Sequence, residues 1–167
     1  MSEKKKFYKT FKALILKISL LTLIIFIVFN YVIGIKSMKG VSMFPKILDG
    51  DLIIYSRLDE TYNINDVIVY ESDGIEKVGR VIAKEGDSVD FTTDGELKVN
   101  GNVQNEEIFF ETFATSKDIT FPYHVNESSC FVLSDNRIQG VDSRVTGDIQ
   151  QKNIKGKVIV ILRIRGF

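Results

Sequence analysis

The stretch Asn65–Asp87, NDVIVYESDGIEKVGRVIAKEGD, reads as two short strands around a turn. Val67-Ile-Val-Tyr and Arg80-Val-Ile-Ala are β-branched or aromatic runs, a composition that suits a pleated, half-buried surface. Asp73-Gly74 between them and Glu85-Gly86-Asp87 after them are turn signals. The same pattern recurs on either side. Leu52-Ile-Ile-Tyr, Cys130-Phe-Val-Leu and Val158-Ile-Val-Ile-Leu are bounded by Gly, Asp and Asn, with further turns at Asp49-Gly-Asp, Asp94-Gly and Asn100-Gly. Leu97-Lys-Val-Asn100-Gly101-Asn-Val reads as a hairpin. Beyond Lys36 nothing sustains a helical period past two turns. That region is therefore expected to be mostly β, as a barrel or packed antiparallel sheets. Glu106 to Val125 is less regular and reads as an inserted lobe or a long loop. No internal repeat or low-complexity tract interrupts the chain.

The N-terminus has a different character. Lys4, Lys5, Lys6, Lys9 and Lys12, opposed only by Glu3, precede a long apolar run with no charge between Lys17 and Lys36. If Lys17 snorkels toward the headgroups, the span covers Ala13 to Ile35, about 35 Å as a helix and enough to cross a hydrocarbon core of roughly 30 Å. A cleaved signal peptide is the competing reading, but the run is too long for one and ends in no small-x-small site. The expected organisation is a basic tail over 1–12, a transmembrane helix over 13–35 and an outer β domain over 36–167. The basic flank places the tail in the cytoplasm and the β domain outside the cell.

The 22 basic and 22 acidic residues balance, so the totals suggest no basic face for nucleic acid. The single cysteine, Cys130, allows no intramolecular disulfide, and its apolar neighbours suggest a thiol packed in a strand core. With His124 the only histidine, no zinc-type site can be assembled from soft ligands, and no metal or other cofactor is expected.

Ser42 lies just past the anchor in Gly40-Val-Ser-Met-Phe-Pro-Lys-Ile-Leu-Asp-Gly-Asp51. Four ordered boxes begin there: SMFPKILDGD (42–51), NDVIVY (65–70), GRVIAKEGD (79–87) and SDNRIQGVDSRVTG (134–147). Together with VNGNVQNEE (99–107) they resemble the type I signal peptidases over the anchor and nearly the whole outer region. The resemblance implies a signal-peptidase-like β fold and a serine nucleophile, Ser42, whose proton is taken by a lysine amine. A lysine acts as a base only when neutral, so its pKa must fall from about 10.4 toward neutrality by burial.

At the position that resemblance assigns to the lysine stands Gly79. At the position of the hydroxyl that orients the amine stands Gly140, and Ser134 replaces a usual glycine. Two glycines at positions serving one amine suggest that the base has been dismantled. Lys77 is the candidate substitute base, two residues from Gly79 and on the same face of a strand. Its bland reading is a solvated strand-end lysine. Lys84 is a weaker candidate. Gly40, Val41, Met43 and Pro45 are the expected substrate-binding residues. Asp135, Asn136, Arg137, Asp142 and Arg144 are expected to hold a loop rather than to catalyse.

The resemblance therefore points to a non-catalytic binding or chaperone factor for exported surface proteins such as pili. Its expected partners are the lipid bilayer, exported precursors or pilin-like proteins, and a neighbouring sortase. The alternative is an active signal peptidase with Ser42 as nucleophile and Lys77 as base. On the first reading, Gly79→Lys with Gly140→Ser is expected to restore activity.

Overall fold

The computed structural model describes residues 3–59, 61–105, 108, 110–114 and 119–163, with side chains from residue 7 onward. Helix α1 spans Glu3–Ile27 and continues as a π-helical turn over Val28–Val32. Leu, Ile and Phe surround its axis, and all of them face outward, including Leu16 and Phe26. A helix apolar on every side has no aqueous face, and Phe7–Val32 is long and apolar enough to cross a membrane. Its few polar groups are satisfied locally: Thr22 Oγ1 donates to the Ile18 carbonyl at 2.9 Å and Asn30 Nδ2 to that of Phe26 at 2.8 Å.

The helix differs from the expected 13–35 span at both ends. It begins at Glu3, and Ile33, Gly34 and Ile35 already belong to strand β1, Ile33–Ser37. Strand β1 pairs antiparallel with β2, Leu52–Ser56, with Gly34 opposite Tyr55. A Cβ at Gly34 would overlap the Tyr55 ring, so the glycine is what lets the two strands close.

The remaining strands are β3 (Val67–Ser72), β4 (Ile75–Lys84), β5 (Ser88–Phe91), β6 (Leu97–Val99), β7 (Asn102–Val103), β8 (Tyr123–His124), β9 (Ser129–Leu133), β10 (Ile149–Gln150) and β11 (Ile154–Leu162). They form a seven-stranded sheet ordered β1-β2-β11-β3-β4-β9-β10 and a four-stranded sheet ordered β7-β6-β5-β8, antiparallel throughout. The β3–β4 and β6–β7 hairpins turn on Asp73-Gly74 and Asn100-Gly101, all four residues at positive φ, the backbone that two-residue hairpin turns require. Each of the five apolar runs read from the sequence lies within one of these strands. The region beyond the helix is thus mostly β, in packed antiparallel sheets behind one N-terminal apolar helix.

One feature of the large sheet positions the site. Strand β4 pairs with β3 from Ile75 through Arg80, but with β9 only from Arg80 onward. Its first five residues, Ile75 to Gly79, therefore have a strand neighbour on one side alone among the described residues.

In the irregular stretch 106–125, residues 106, 107, 109 and 115–118 lie outside the described residues. Whether that stretch caps the site falls partly there. Of the rest, Thr112 is buried and its N–H donates to the Gly95 carbonyl at 2.7 Å.

Candidate functional site

Between β1 and β2 the chain makes a compact loop that carries Ser42. Met38 N–H donates to the Asp51 carbonyl at 2.8 Å and Gly50 N–H to that of Met38 at 3.0 Å, which ties the loop's two ends together. The Asp49 and Asp51 carboxylates accept from the N–H groups of Gly40 (2.6 Å) and Leu48 (2.9 Å). Met43 and Ile47 point into the core with Met38, Ile53 and Val78. From the opposite side Asn136 donates through its backbone N–H to the Ser42 carbonyl (2.9 Å) and through Nδ2 to that of Val41 (3.2 Å). These bonds fix the backbone of Ser42 while its half-buried hydroxyl makes no hydrogen bond among the described residues.

Ser42 lines a cleft of about 560 Å³. Lys36 to Lys39 form one wall and Gly74 to Val78 the other, with Ser134 and Val141 at one side. Of the expected substrate-binding residues, none of Gly40, Val41, Met43 and Pro45 lines this cleft. Met43 corrects the expectation outright: it is fully buried, because strand-loop packing draws its side chain into the core beneath the serine. Lys36, Lys39, Glu76 and Val78 take the lining positions instead. Their roles were hidden in the sequence because neither wall resembles a motif.

At Gly79 there is no amine, and the first atom of any side chain would be crowded. A Cβ there would stand 2.5 Å from Val132 Cγ1 and 3.3 Å from both Tyr70 Cε1 and the Leu133 carbonyl oxygen. Burial, reinforced by the Asp142 charge, pushes the Tyr70 hydroxyl well above the usual phenol range, so its phenolate is no substitute base.

Gly140 is a different case. A Cβ built on it would overlap both Cβ and Oγ of Ser134. The Ser134 side chain therefore occupies the place that a side chain at 140 would take, and Ser134 lines the same cleft as Ser42. A hydroxyl thus remains on the cleft at Ser134 although residue 140 carries none, which the expected paired loss did not take into account. A serine introduced by Gly140→Ser would collide with Ser134.

Lys77 stands opposite Tyr70 in the β3–β4 register, is half-buried and lines the cleft with Ser42, so it is not a fully solvated strand end. Its neighbour Glu76 pairs with Lys36 across the cleft at 3.3 Å. Lys84 lines a separate cavity with Tyr62 and Cys130, remote from Ser42.

The last box forms a buried polar web behind the cleft. Arg80 grips Asp135 through Nε and a terminal nitrogen at 2.8 and 2.6 Å. Arg137 Nε donates to the Ser134 carbonyl (2.8 Å) and a terminal nitrogen to Thr112 Oγ1 (2.8 Å). Arg144 holds Asp142 by two bonds of 2.9 Å and donates to the Arg137 carbonyl at 2.7 Å. Asp142 also caps the short helix α2, Ser143–Thr146. Asp135 and Asp142 are each held by an arginine and Arg137 is hydrogen-bonded to neutral oxygens, so the web reads as scaffold. Among the described residues no group of three or more His, Cys, Asp or Glu side chains could hold a metal ion.

Cys130 lies inside β9, where burial pushes its thiol up to about 12 from 9.0. At pH 9 about half of the thiols are ionised in the unfolded chain, but only on the order of one in a thousand in the folded one. Alkylation by iodoacetamide at pH 9 should accordingly slow by several hundredfold on folding, read by mass spectrometry with and without urea. Comparable rates would place the thiol at the surface.

Fold and site together define a membrane-anchored β protein with a serine at the mouth of a strand-edged cleft. The profile of the signal peptidase, peptidase S26 family matches residues 11–163, and the chain belongs to that family. It is 32% identical to signal peptidase I of Bacillus caldolyticus over 82% of this chain and 80% of that protein. It is 28% identical to signal peptidase IB of Staphylococcus aureus, over 86% and 85% respectively. A probable thylakoidal processing peptidase 2 of Arabidopsis thaliana is 30% identical over 74% of this chain, which spans only 36% of that longer protein. A crystal structure of signal peptidase I from Enterococcus faecalis V583 overlays with a TM-score of 0.47 at 25% identity, over 60% of this chain and 97% of that one.

Proposed function

We propose that the protein is a non-catalytic member of its family, which holds an extended segment of an exported protein in the cleft beside Ser42 without cutting it. The observation that carries this reading is the missing and crowded side-chain position at Gly79. An amine is absent there, and a Cβ would already stand 2.5 Å from Val132 Cγ1 and 3.3 Å from Tyr70 Cε1. The free side of β4 from Ile75 to Gly79 supports the binding half of the reading, because an extended peptide can add to an unpaired strand edge and place alternate side chains in the cleft. With α1 in the membrane and its basic flank in the cytoplasm, the cleft faces emerging precursors on the outer side. Assembly of exported surface polymers such as pili, from pilin-like precursors beside a sortase, is the role this reading assigns by analogy.

One observation favours the alternative: Lys77 lines the same cleft as Ser42. An active peptidase using Lys77 needs the amine within hydrogen-bond reach of the Ser42 hydroxyl, and a displacement of about 1 Å can cost on the order of a hundredfold.

The two readings separate in one assay. Full-length protein in detergent micelles is incubated with a signal-peptide substrate, and products are followed by mass spectrometry. We expect retention of the intact peptide by crosslinking and no product. Cleavage that disappears in Ser42→Ala would overturn the non-catalytic reading. In cells, deletion should impair surface polymer formation and Ser42→Ala should not.

A further inference from the structure

We propose that the cleft selects an extended peptide segment bearing a carboxylate side chain, a preference that rests on the peptide-binding reading above. Four charged side chains line the cleft: Lys36, Lys39, Glu76 and Lys77. Glu76 is the only carboxylate among the described lining residues, and it is taken up by Lys36 at 3.3 Å. Lys39 and Lys77 have no ion pair or hydrogen bond among the described residues, although Lys77 is half-buried.

The hydroxyls of Ser37, Ser42 and Ser134 have no hydrogen-bond partner among the described residues either. The cleft thus presents two unpaired cations and three hydroxyls able to donate, and its one acceptor group of full charge is already engaged. Donors without acceptors in a partly desolvated place are satisfied best by an anionic ligand.

The apolar portion of the walls, from Met38, Ile75, Val78 and Val141, limits that ligand to one with hydrophobic neighbours around its charge. A free β4 edge requires it to be extended backbone. Successive side chains of a strand point to opposite faces, so one acidic residue in the right register meets Lys77 while its neighbours meet the walls. A lipid headgroup satisfies the charge but has no backbone to offer the strand edge. For that reason the peptide is favoured as occupant.

The test uses the full chain in nanodiscs of neutral phosphatidylcholine, so that lipid charge contributes nothing. Fluorescein-labelled Ala/Val host peptides carry Glu, Gln or Lys at one of three successive central positions, and binding is read by fluorescence polarisation. In at least one register the Glu peptide should bind about tenfold tighter than its Gln counterpart, with the Lys peptide weakest. The advantage should shrink as salt rises, as expected of a solvent-accessible charge pair.

In Lys39→Gln with Lys77→Gln, the Glu and Gln affinities should converge on the Gln value of the unaltered protein. That retained Gln binding also shows the cleft to be intact. Equal affinities for Glu and Gln peptides in every register would sink the charge preference while leaving peptide binding standing. A Glu advantage that survives removal of both lysines would overturn it as well. Loss of Glu-peptide binding on adding phosphatidylserine would assign the cations to lipid instead. Failure of all peptides to bind would bring down the binding reading itself.

Discussion

Asp142→Ala should destabilise the β domain by about 3–5 kcal/mol, the loss typical of removing one partner from a buried ion pair. Asp142 is 0% and Arg144 1% exposed, so neither is screened by solvent. The carboxylate accepts from Arg144 Nε and a terminal nitrogen, from the Arg144 backbone N–H at 3.1 Å and from the Ser134 backbone N–H at 3.0 Å. Truncation leaves a buried guanidinium without a countercharge and two backbone donors without acceptors. Equilibrium urea unfolding of the full chain in micelles, followed by circular dichroism of the β signal, measures the effect. Replacing both partners, Asp142→Leu with Arg144→Leu, should cost less than Asp142→Ala alone, because no unpaired charge then remains inside. If Asp142→Ala shifts stability by less than about 1 kcal/mol, the web does not support the Ser134 side of the cleft.

That web was legible only as a list of polar residues in a turn-rich segment. Its charges could be assigned to scaffold rather than catalysis from the absence of an eligible base nearby, but the pairing of Asp142 with Arg144, two residues apart, depends on the α2 turn that Asp142 caps. The strands were easier to read, since β-branched runs between Gly and Asp turns need no long-range information. Strand β1 was not, because Ile33-Gly-Ile continues the apolar composition of the anchor and hydropathy does not distinguish a strand from the end of a span. Only pairing with β2, permitted by Gly34 under the Tyr55 ring, makes it a strand. The box names Gly79 but not the neighbours that a side chain there would meet, and of Gly140 it says less. Chain order presents Ser134 and Gly140 as two separate departures from a pattern, and nothing in a linear string shows that their side chains compete for one volume.

That shared volume yields the second large effect. Gly140→Ser alone should destabilise the protein by about 1–3 kcal/mol, the usual range for overpacking, since its Cβ overlaps Ser134 Cβ and Oγ and Ser134 is only 2% exposed. Ser134→Gly with Gly140→Ser should recover most of that loss, giving a coupling energy of about the same size in a double-mutant cycle. Activity follows the same geometry. Gly79→Lys in the native background meets Val132 Cγ1 at 2.5 Å, whereas Gly79→Lys with Val132→Ala opens the space and keeps the Ser134 hydroxyl in the cleft. Cleavage of a signal-peptide substrate should therefore appear in Gly79→Lys with Val132→Ala, and should be lost again on adding Ser42→Ala. Adding Gly140→Ser to the active combination should reduce the yield of folded protein rather than raise the rate. If instead Gly140→Ser is as stable as the unaltered chain, Ser134 and residue 140 do not share a place, and the hydroxyl beside Ser42 has been lost rather than moved.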